Sequence, residues 1–315
     1  MSRAKPPFNQ YSREPSGSLL SSLLLMIYDL ICERIPVEKG WSRDRKYRAY
    51  TNLDDPYFLR ISPPEQTDRV RCQFEHMLQA AALRIPMNLP REWGVSEEGP
   101  YLLLSLIDGE DAEAVLPGLP AERQYRYGID AGVILKKLHT LPAPAEIAPW
   151  DRKFNRKIDR KIAMYQACPL KYPGGEAFLE QIRRSRHLLS GRPQCFQHGD
   201  YHTGNMMIDD QGRLTIIDFE KWDYGDPWEE FNRIVWSAQL SPAFASGLVD
   251  GYFDHRVPLD FWNLLALYIC SNALGSLPWA IPFGEEEIRT MQNQAAEILR
   301  WYDHFRTVIP SWYHP

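Results

Sequence analysis

Short stretches of alternating apolar and polar residues fill the first third of the chain, and helical spacing fills most of the rest. Arg45–Tyr50 and Tyr57–Ile61 read as two strands around the turn Asn52-Leu53-Asp54-Asp55-Pro56. Pro63-Pro64 ends that pair, and Val70, Phe74, Met77, Leu78 and Ala81 then recur at helical spacing over 66–83. Trp93–Val95 and Tyr101–Ile107 read as a second strand pair, with Leu102-Leu103-Leu104 apolar throughout, as in a buried central strand. The apolar run before the first strand predicts a packing helix over 18–34, preceded by a loose polar tail over 1–17. After Asp108-Gly109 the periodicity predicts helices over 121–140, 152–168, 176–190, 228–240, 243–254, 260–275 and 285–306. Two short strands at about 205–208 and 213–217, joined by Asp209-Asp210-Gln211-Gly212, interrupt them. The fold class is α+β: a small sheet-containing lobe over 18–106, a hinge near 105–109, and a larger, mainly helical lobe over 107–315.

Composition narrows the partners. The 315 residues are 44% apolar and carry a net charge of −5, which argues against nucleic acid. Residues 1–106 hold 14 basic and 13 acidic side chains, so the remainder holds 22 against 28, a balance of −6 compatible with a cationic small molecule. The stretch Leu19–Ile31 is too short to cross a bilayer and contains Asp29, so no membrane is expected. Five scattered cysteines without a CxxC spacing read as reduced thiols of a cytoplasmic protein. Nothing in the sequence signals an oligomeric state.

The chemistry concentrates in Gln197-His198-Gly199-Asp200-Tyr201-His202-Thr203-Gly204-Asn205 and in Ile216-Ile217-Asp218-Phe219-Glu220. Asp200 and Asn205 share one loop, and a hairpin after Asn205 would return the chain so that Asp218 lies beside it. A carboxylate and an amide oxygen converging there make a hard-oxygen magnesium site with positions left for phosphate and water. Asp200 can then orient or deprotonate an attacking hydroxyl, which is most of what phosphoryl transfer asks of a protein. Asp226-Pro227-Trp228-Glu229 reads as a helix start: an Asp cap, Pro in the first turn and Glu three residues on.

These residues, with Gly225-Asp226-Pro227 downstream, resemble the aminoglycoside phosphotransferase and choline kinase-like family, from about Gly40 to Tyr302. The resemblance implies a two-lobed protein kinase-like fold and transfer of the γ-phosphoryl group of ATP or GTP, with Mg²⁺, to a hydroxyl of a small molecule. It implies Asp200 as catalytic base, Asn205 and Asp218 as magnesium ligands, and His198 and Asp226 as structural support. It further implies a cation on a strand near the phosphates, for which Arg60 is the candidate in place of the family's lysine, with Glu75 of the next helix as its partner. Ser42, in Gly40–Tyr47, occupies the place of the phosphate-covering loop, and the Ser105 carbonyl and Ile107 N–H occupy that of the adenine-binding hinge. Asp223, Glu229 and Glu230 are candidates to receive ammonium groups of an acceptor, and Trp222, Trp236, Tyr268, Trp279, Tyr302 and Asp303 are candidate lining residues. The expected acceptor is an aminoglycoside-like antibiotic; the alternatives are a metabolite such as an amino alcohol or sugar, or a nucleotide-binding protein without catalysis. A peptide acceptor is not expected, because the segment between Asp218 and Gly225 is too short to seat one.

Overall fold

The structure, a computed structural model, describes residues 26–38, 43–52 and 56–314. Strand alternation builds its first layer. Among the described residues, β1 (Ile31–Pro36), β2 (Arg45–Thr51), β3 (Pro56–Ile61), β4 (Pro90–Ser96) and β5 (Gly99–Ser105) form an antiparallel sheet in the order β1-β2-β3-β5-β4. Leu59, Ile61 and Leu103 point to one face, where they pack with Ala49 and Tyr101. Leu102 and Leu104 point to the other, toward Val70, Met77 and Ala80 of helix α1 (Thr67–Ala82). Arg60 lies between Leu59 and Ile61 and opposite Leu102, so it too points toward α1 and the rest of the molecule.

The helix expected over 18–34 is not borne out where it is described. Residues 18–25 lie outside the described residues, Ile27–Leu30 form a short 3-10 turn, and Ile31–Pro36 are β1. The backbone N–H and C=O groups of the β2 edge need partners, and this segment supplies them. Glu92 accepts hydrogen bonds from the Ile27 and Tyr28 amides at 2.6 and 3.1 Å, and Tyr28 stacks on Tyr101.

Beyond β5 the chain enters β6 (Gly109–Asp111), which pairs with β8 (Met206–Asp209) in a sheet ordered β6-β8-β9, with β9 at Leu214–Ile216. The segment leaving the first sheet is therefore tied directly to the hairpin that separates Asn205 from Asp218. The short pair β7 (Cys195–Gln197) and β10 (Asp223–Gly225) brackets the same region. Helices α2 (Ala112–Val115), α3 (Ala121–Leu138), α4 (Trp150–Ala167), α5 (Glu176–Ser185), α6 (Ile234–Leu240), α7 (Pro242–Phe253), α8 (Leu259–Ala280) and α9 (Glu285–Trp301) make up the remainder. Helix α8 continues past Gly275 and Pro278, five residues beyond its expected end, because Leu277 and Ala280 are buried with the rest of its core face. It is long and apolar enough to span a bilayer, yet 67% of its apolar window is buried inside the fold, as in a core helix. All five cysteines are free thiols.

Candidate active site

The loop after β7 is built around a buried imidazole. His198 Nε2 donates to the Ile217 carbonyl at 2.9 Å, and Nδ1 accepts from the Asp200 amide at 3.4 Å, which together fix the orientation of the ring. Gly199 has φ +84°, donates its amide to Glu230 Oε1 at 2.9 Å, and passes so close to the Lys221 carbonyl that a Cβ would stand 2.0 Å from it. Asn205 donates through Nδ2 to the Asp200 carbonyl at 2.9 Å, so its amide oxygen faces away from that bond. Ile217 donates to the Asn205 carbonyl at 3.0 Å, which lays the residue before Asp218 against Asn205. Asp218 then adopts a left-handed conformation (φ 64°) that turns the chain out of the strand direction, and its side chain remains 37% exposed. Asn205 and Asp218 are thus brought side by side, with Asp200 on the same loop.

Asp200 has a partner that sequence reasoning did not name. Arg233 Nε lies 3.0 Å from Asp200 Oδ1, reaching in from the turn before α6. His202 Nε2 is 3.7 Å from the same oxygen, while its Nδ1 accepts from the Gly204 amide at 3.1 Å. Burial pulls the His202 imidazole down, so it is neutral at physiological pH. The signal for Arg233 was a lone arginine after the Asp226 turn, and one cation carries no address until the fold is known.

On the first sheet, Arg60 gathers four groups. Its Nε lies 3.0 Å from Asp44 Oδ2, one terminal nitrogen donates to Gln73 Oε1, and the other lies 3.7 Å from Asp218 Oδ1 and 3.8 Å from Glu220 Oε2. The expectation that Glu75 holds this cation is corrected. Gln73 and Glu75 are two apart, so they face different sides of α1. Glu75 is exposed and pairs with Arg71 one turn back at 2.9 Å, while Gln73 is buried against Arg60. Ser42 lies outside the described residues. Ser105 turns its hydroxyl to the Leu89 amide at 2.8 Å and its own amide to the Leu89 carbonyl. Among the described residues, no backbone carbonyl accepts from the Ile107 amide.

Most acidic side chains after Asp218 already have partners inside the fold. Asp226 is fully buried, accepts two hydrogen bonds from Arg192 at 2.6 and 2.9 Å, and accepts another from the Tyr268 hydroxyl at 2.6 Å. Its Oδ1 also caps the Trp228 amide at 2.9 Å, but the turn that follows is a 3-10 helix (Glu229–Arg233), with α6 starting after it. Glu229 does not reach back to close a capping box. Burial works against its charge, yet Lys157 at 2.9 Å and Gln197 at 3.2 Å hold its carboxyl below the ordinary range. Glu230 is buried on the Gly199 amide, and Asp223 pairs with Lys153 at 2.8 Å. These three residues, expected to receive an acceptor's ammonium groups, have internal partners instead. Of the candidate lining residues, Tyr268 and Tyr302 are core, Trp222 stacks on His76, and Asp303 pairs with Arg306.

The donor set suits magnesium. Asn205 and Asp218 offer hard oxygens, and the carboxylate of Asp218 meets its nearest cation only at 3.7 Å, so its lone pairs are not consumed by a close ion pair. Among the described residues, no three His, Cys, Asp or Glu side chains cluster to hold a metal on their own. Magnesium here would therefore take its other ligands from phosphate and water.

No curated protein sequence matches the chain. Solved structures do. A thermostable mutant of the aminoglycoside phosphotransferase APH(4)-Ia in a ternary complex with ADP and hygromycin B aligns with a TM-score of 0.64 at 16% identity, covering 87% of this chain and 96% of that one. A choline/ethanolamine kinase family protein from Mesorhizobium loti aligns with a TM-score of 0.64 at 15% identity over 91% and 94%. The GDP complex of an aminoglycoside 2'-phosphotransferase mutant aligns with a TM-score of 0.66 at 14% identity over 88% and 94%. The fold is the two-lobed protein kinase-like one. The model of the phosphotransferase enzyme family matches residues 33–262, most of the chain and the whole His198–Asp226 block, and the protein is a member of that family.

Proposed function

We propose that the protein transfers the γ-phosphoryl group of ATP or GTP, with magnesium, to a hydroxyl of a small molecule. The observation that carries this reading is the juxtaposition of Asn205 and Asp218, fixed by the Ile217–Asn205 hydrogen bond, with Asp200 on the same loop and Arg60 reaching across from β3. Asn205 and Asp218 would hold the magnesium, which neutralises phosphate charge when bound. Arg60 directs a terminal nitrogen at the same place and can pair with phosphate oxygens. Arg233 engages one oxygen of Asp200, leaving the other to accept the acceptor's hydroxyl proton. The acceptor oxygen bonds to the γ-phosphorus, the bond from that phosphorus to the bridging oxygen breaks, and the nucleoside diphosphate leaves.

Two acceptor classes follow from the sequence, an aminoglycoside-like antibiotic and a metabolite. Among the similar solved structures above, the aminoglycoside phosphotransferase APH(4)-Ia was solved with hygromycin B. The internal pairing of Asp223, Glu229 and Glu230 favours the metabolite here, because an aminoglycoside's ammonium groups need free carboxylates. The test is release of nucleoside diphosphate across an acceptor panel that includes aminoglycosides. Asp200→Asn is expected to lower kcat by about 10²–10⁴-fold with the fold retained. Full turnover by that variant would remove Asp200 as the base.

A further inference from the structure

Lys153, Lys157 and Lys161 recur every fourth residue along α4 and so share one face of it. The first two are matched. Lys153 Nζ lies 2.8 Å from Asp223 Oδ1 and donates to the Tyr224 carbonyl at 2.6 Å, and Lys157 Nζ lies 2.9 Å from Glu229 Oε1. Lys161, one turn further, has no carboxylate within ion-pair distance and no hydrogen-bond acceptor among the described residues. Its stem lies on Gly275 of α8, where a Cβ would stand 3.1–3.3 Å from its Cε, Cδ and Cγ.

The charges that reach Lys161 are mostly of its own sign. The strongest come from Lys157 and Arg160 of α4 and from Arg233 of the turn that holds Asp200, and the acid that acts most on it is Glu229, already bound by Lys157. Burial and these cations pull the Lys161 ammonium down to about 7. The α8 positions three and four residues from Gly275, namely Ser271, Asn272, Pro278 and Trp279, add no charge. An unmatched, partly buried ammonium costs stability in the empty protein, and a bound anion would offset that cost.

We propose that the acceptor is an anionic alcohol, a small hydroxylated molecule bearing a carboxylate or a phosphate that Lys161 receives on the side from which Arg233 approaches Asp200. This rests on the phosphotransferase reading above. Within it, the inference replaces a polycationic acceptor by one of opposite charge.

The experiment uses the full-length protein with Mg·ATP and acceptors matched in carbon skeleton: a neutral polyol, its amine, its carboxylate and its phosphate. A carboxylate or phosphate member is expected to exceed the neutral one in kcat/KM by about tenfold or more, with the amine below both. The two anionic arms separate a hydroxy acid from a phosphorylated acceptor. Lys161→Met is expected to raise the KM for the preferred anion about tenfold, and Lys161→Arg to retain most of the affinity. Lys136→Met, which removes an exposed pair with Asp254 on another helix, should leave the anion preference as it is. Preference for the amine, or an anion preference that survives Lys161→Met, overturns the inference. If no acceptor turns over, calorimetric binding of the same set decides, and anions that bind no tighter than the neutral polyol overturn it equally. A protein that binds and slowly hydrolyses Mg·ATP yet prefers neutral or cationic acceptors refutes this inference alone. One that binds no Mg·nucleotide refutes the phosphotransferase reading, and this inference with it.

Discussion

The resemblance to the family implies a lysine at the position of Arg60, and a guanidinium there changes which partners the cation can take. A guanidinium is planar and offers several donors, so it can use a neutral acceptor on the helix and draw its carboxylate from elsewhere. Here the helix supplies Gln73, and the carboxylate is Asp44, in the stretch just before β2. Arg60→Lys is expected to raise the KM for nucleotide about tenfold, since one compact ammonium cannot reach Asp44, Gln73 and the phosphates together. Adding Gln73→Glu should recover most of the loss by restoring a charged helix partner. Steady-state nucleotide KM for the three proteins checks this, and an unchanged KM in Arg60→Lys refutes it. Lys161 gives a second prediction at this scale. Its ammonium titrates near 7 in the folded protein against an ordinary 10.5, so the native state binds fewer protons across that window. Its penalty is complete below about pH 7 and fades as pH rises toward the unfolded value. Lys161→Met should therefore raise Tm by about 2 °C or more near pH 6.5, with the gain shrinking by pH 9.5. A gain that is absent or independent of pH refutes the unmatched charge.

Helices α3 and α7 pack backbone to backbone through four glycines. A Cβ on Gly128 or Gly132 of α3 would lie 2.1 or 2.3 Å from the Phe244 or Leu248 carbonyl oxygen. One on Gly247 or Gly251 of α7 would lie 2.1 or 2.3 Å from the Tyr125 or Ile129 carbonyl oxygen. Each pair is spaced by four residues and so presents a smooth stripe to the other helix. Periodicity alone places both helices, and it scores these glycines only as weak helix formers. The contact, not the propensity, explains them. Gly132→Ala is expected to cost about 1–3 kcal/mol by forcing the helices apart. Gly118→Ala, with nothing within 4 Å of the new methyl, should stay within about 0.5 kcal/mol. Chemical denaturation of the two variants checks this, and equal midpoints would refute the close-contact account.

Across the whole molecule, the first sheet and the helical part meet through charge. Arg60 of β3 and Arg69 of α1 both approach Glu220, with Arg69 donating to its backbone carbonyl at 2.9 Å. Ile216 donates to the Pro86 carbonyl at 3.0 Å, which joins the loop before β4 to the strand leading into Asp218. A nucleotide bridging Arg60 and the Asn205–Asp218 pair would tighten this junction. At 100 times its dissociation constant, Mg·nucleotide should stabilise the fold by about 2.7 kcal/mol. Chelating the magnesium should remove most of that gain. A thermal shift indifferent to the chelator would place the divalent ion outside the site.

Strands β2–β5, β8 and β9, most helix spans, the hairpin between Asn205 and Asp218, and the grouping of Asp200 with both were legible in the chain, because each rests on local period or short spacing. Partner choice was not. Glu75, Glu229 and Glu230 are ordinary acidic residues in one dimension; helix phase turns Glu75 to Arg71, while Glu229 meets Lys157, 72 residues away, and Glu230 meets the Gly199 amide, 31 residues away. Strand β1 was misread because an edge's need for hydrogen-bond partners outweighs the local preference of a short apolar run. Arg233 and Lys161 acquired meaning only when packing set one against Asp200 and left the other without a counter-charge. Coulomb energy and desolvation follow distance in space, which residue numbering does not encode.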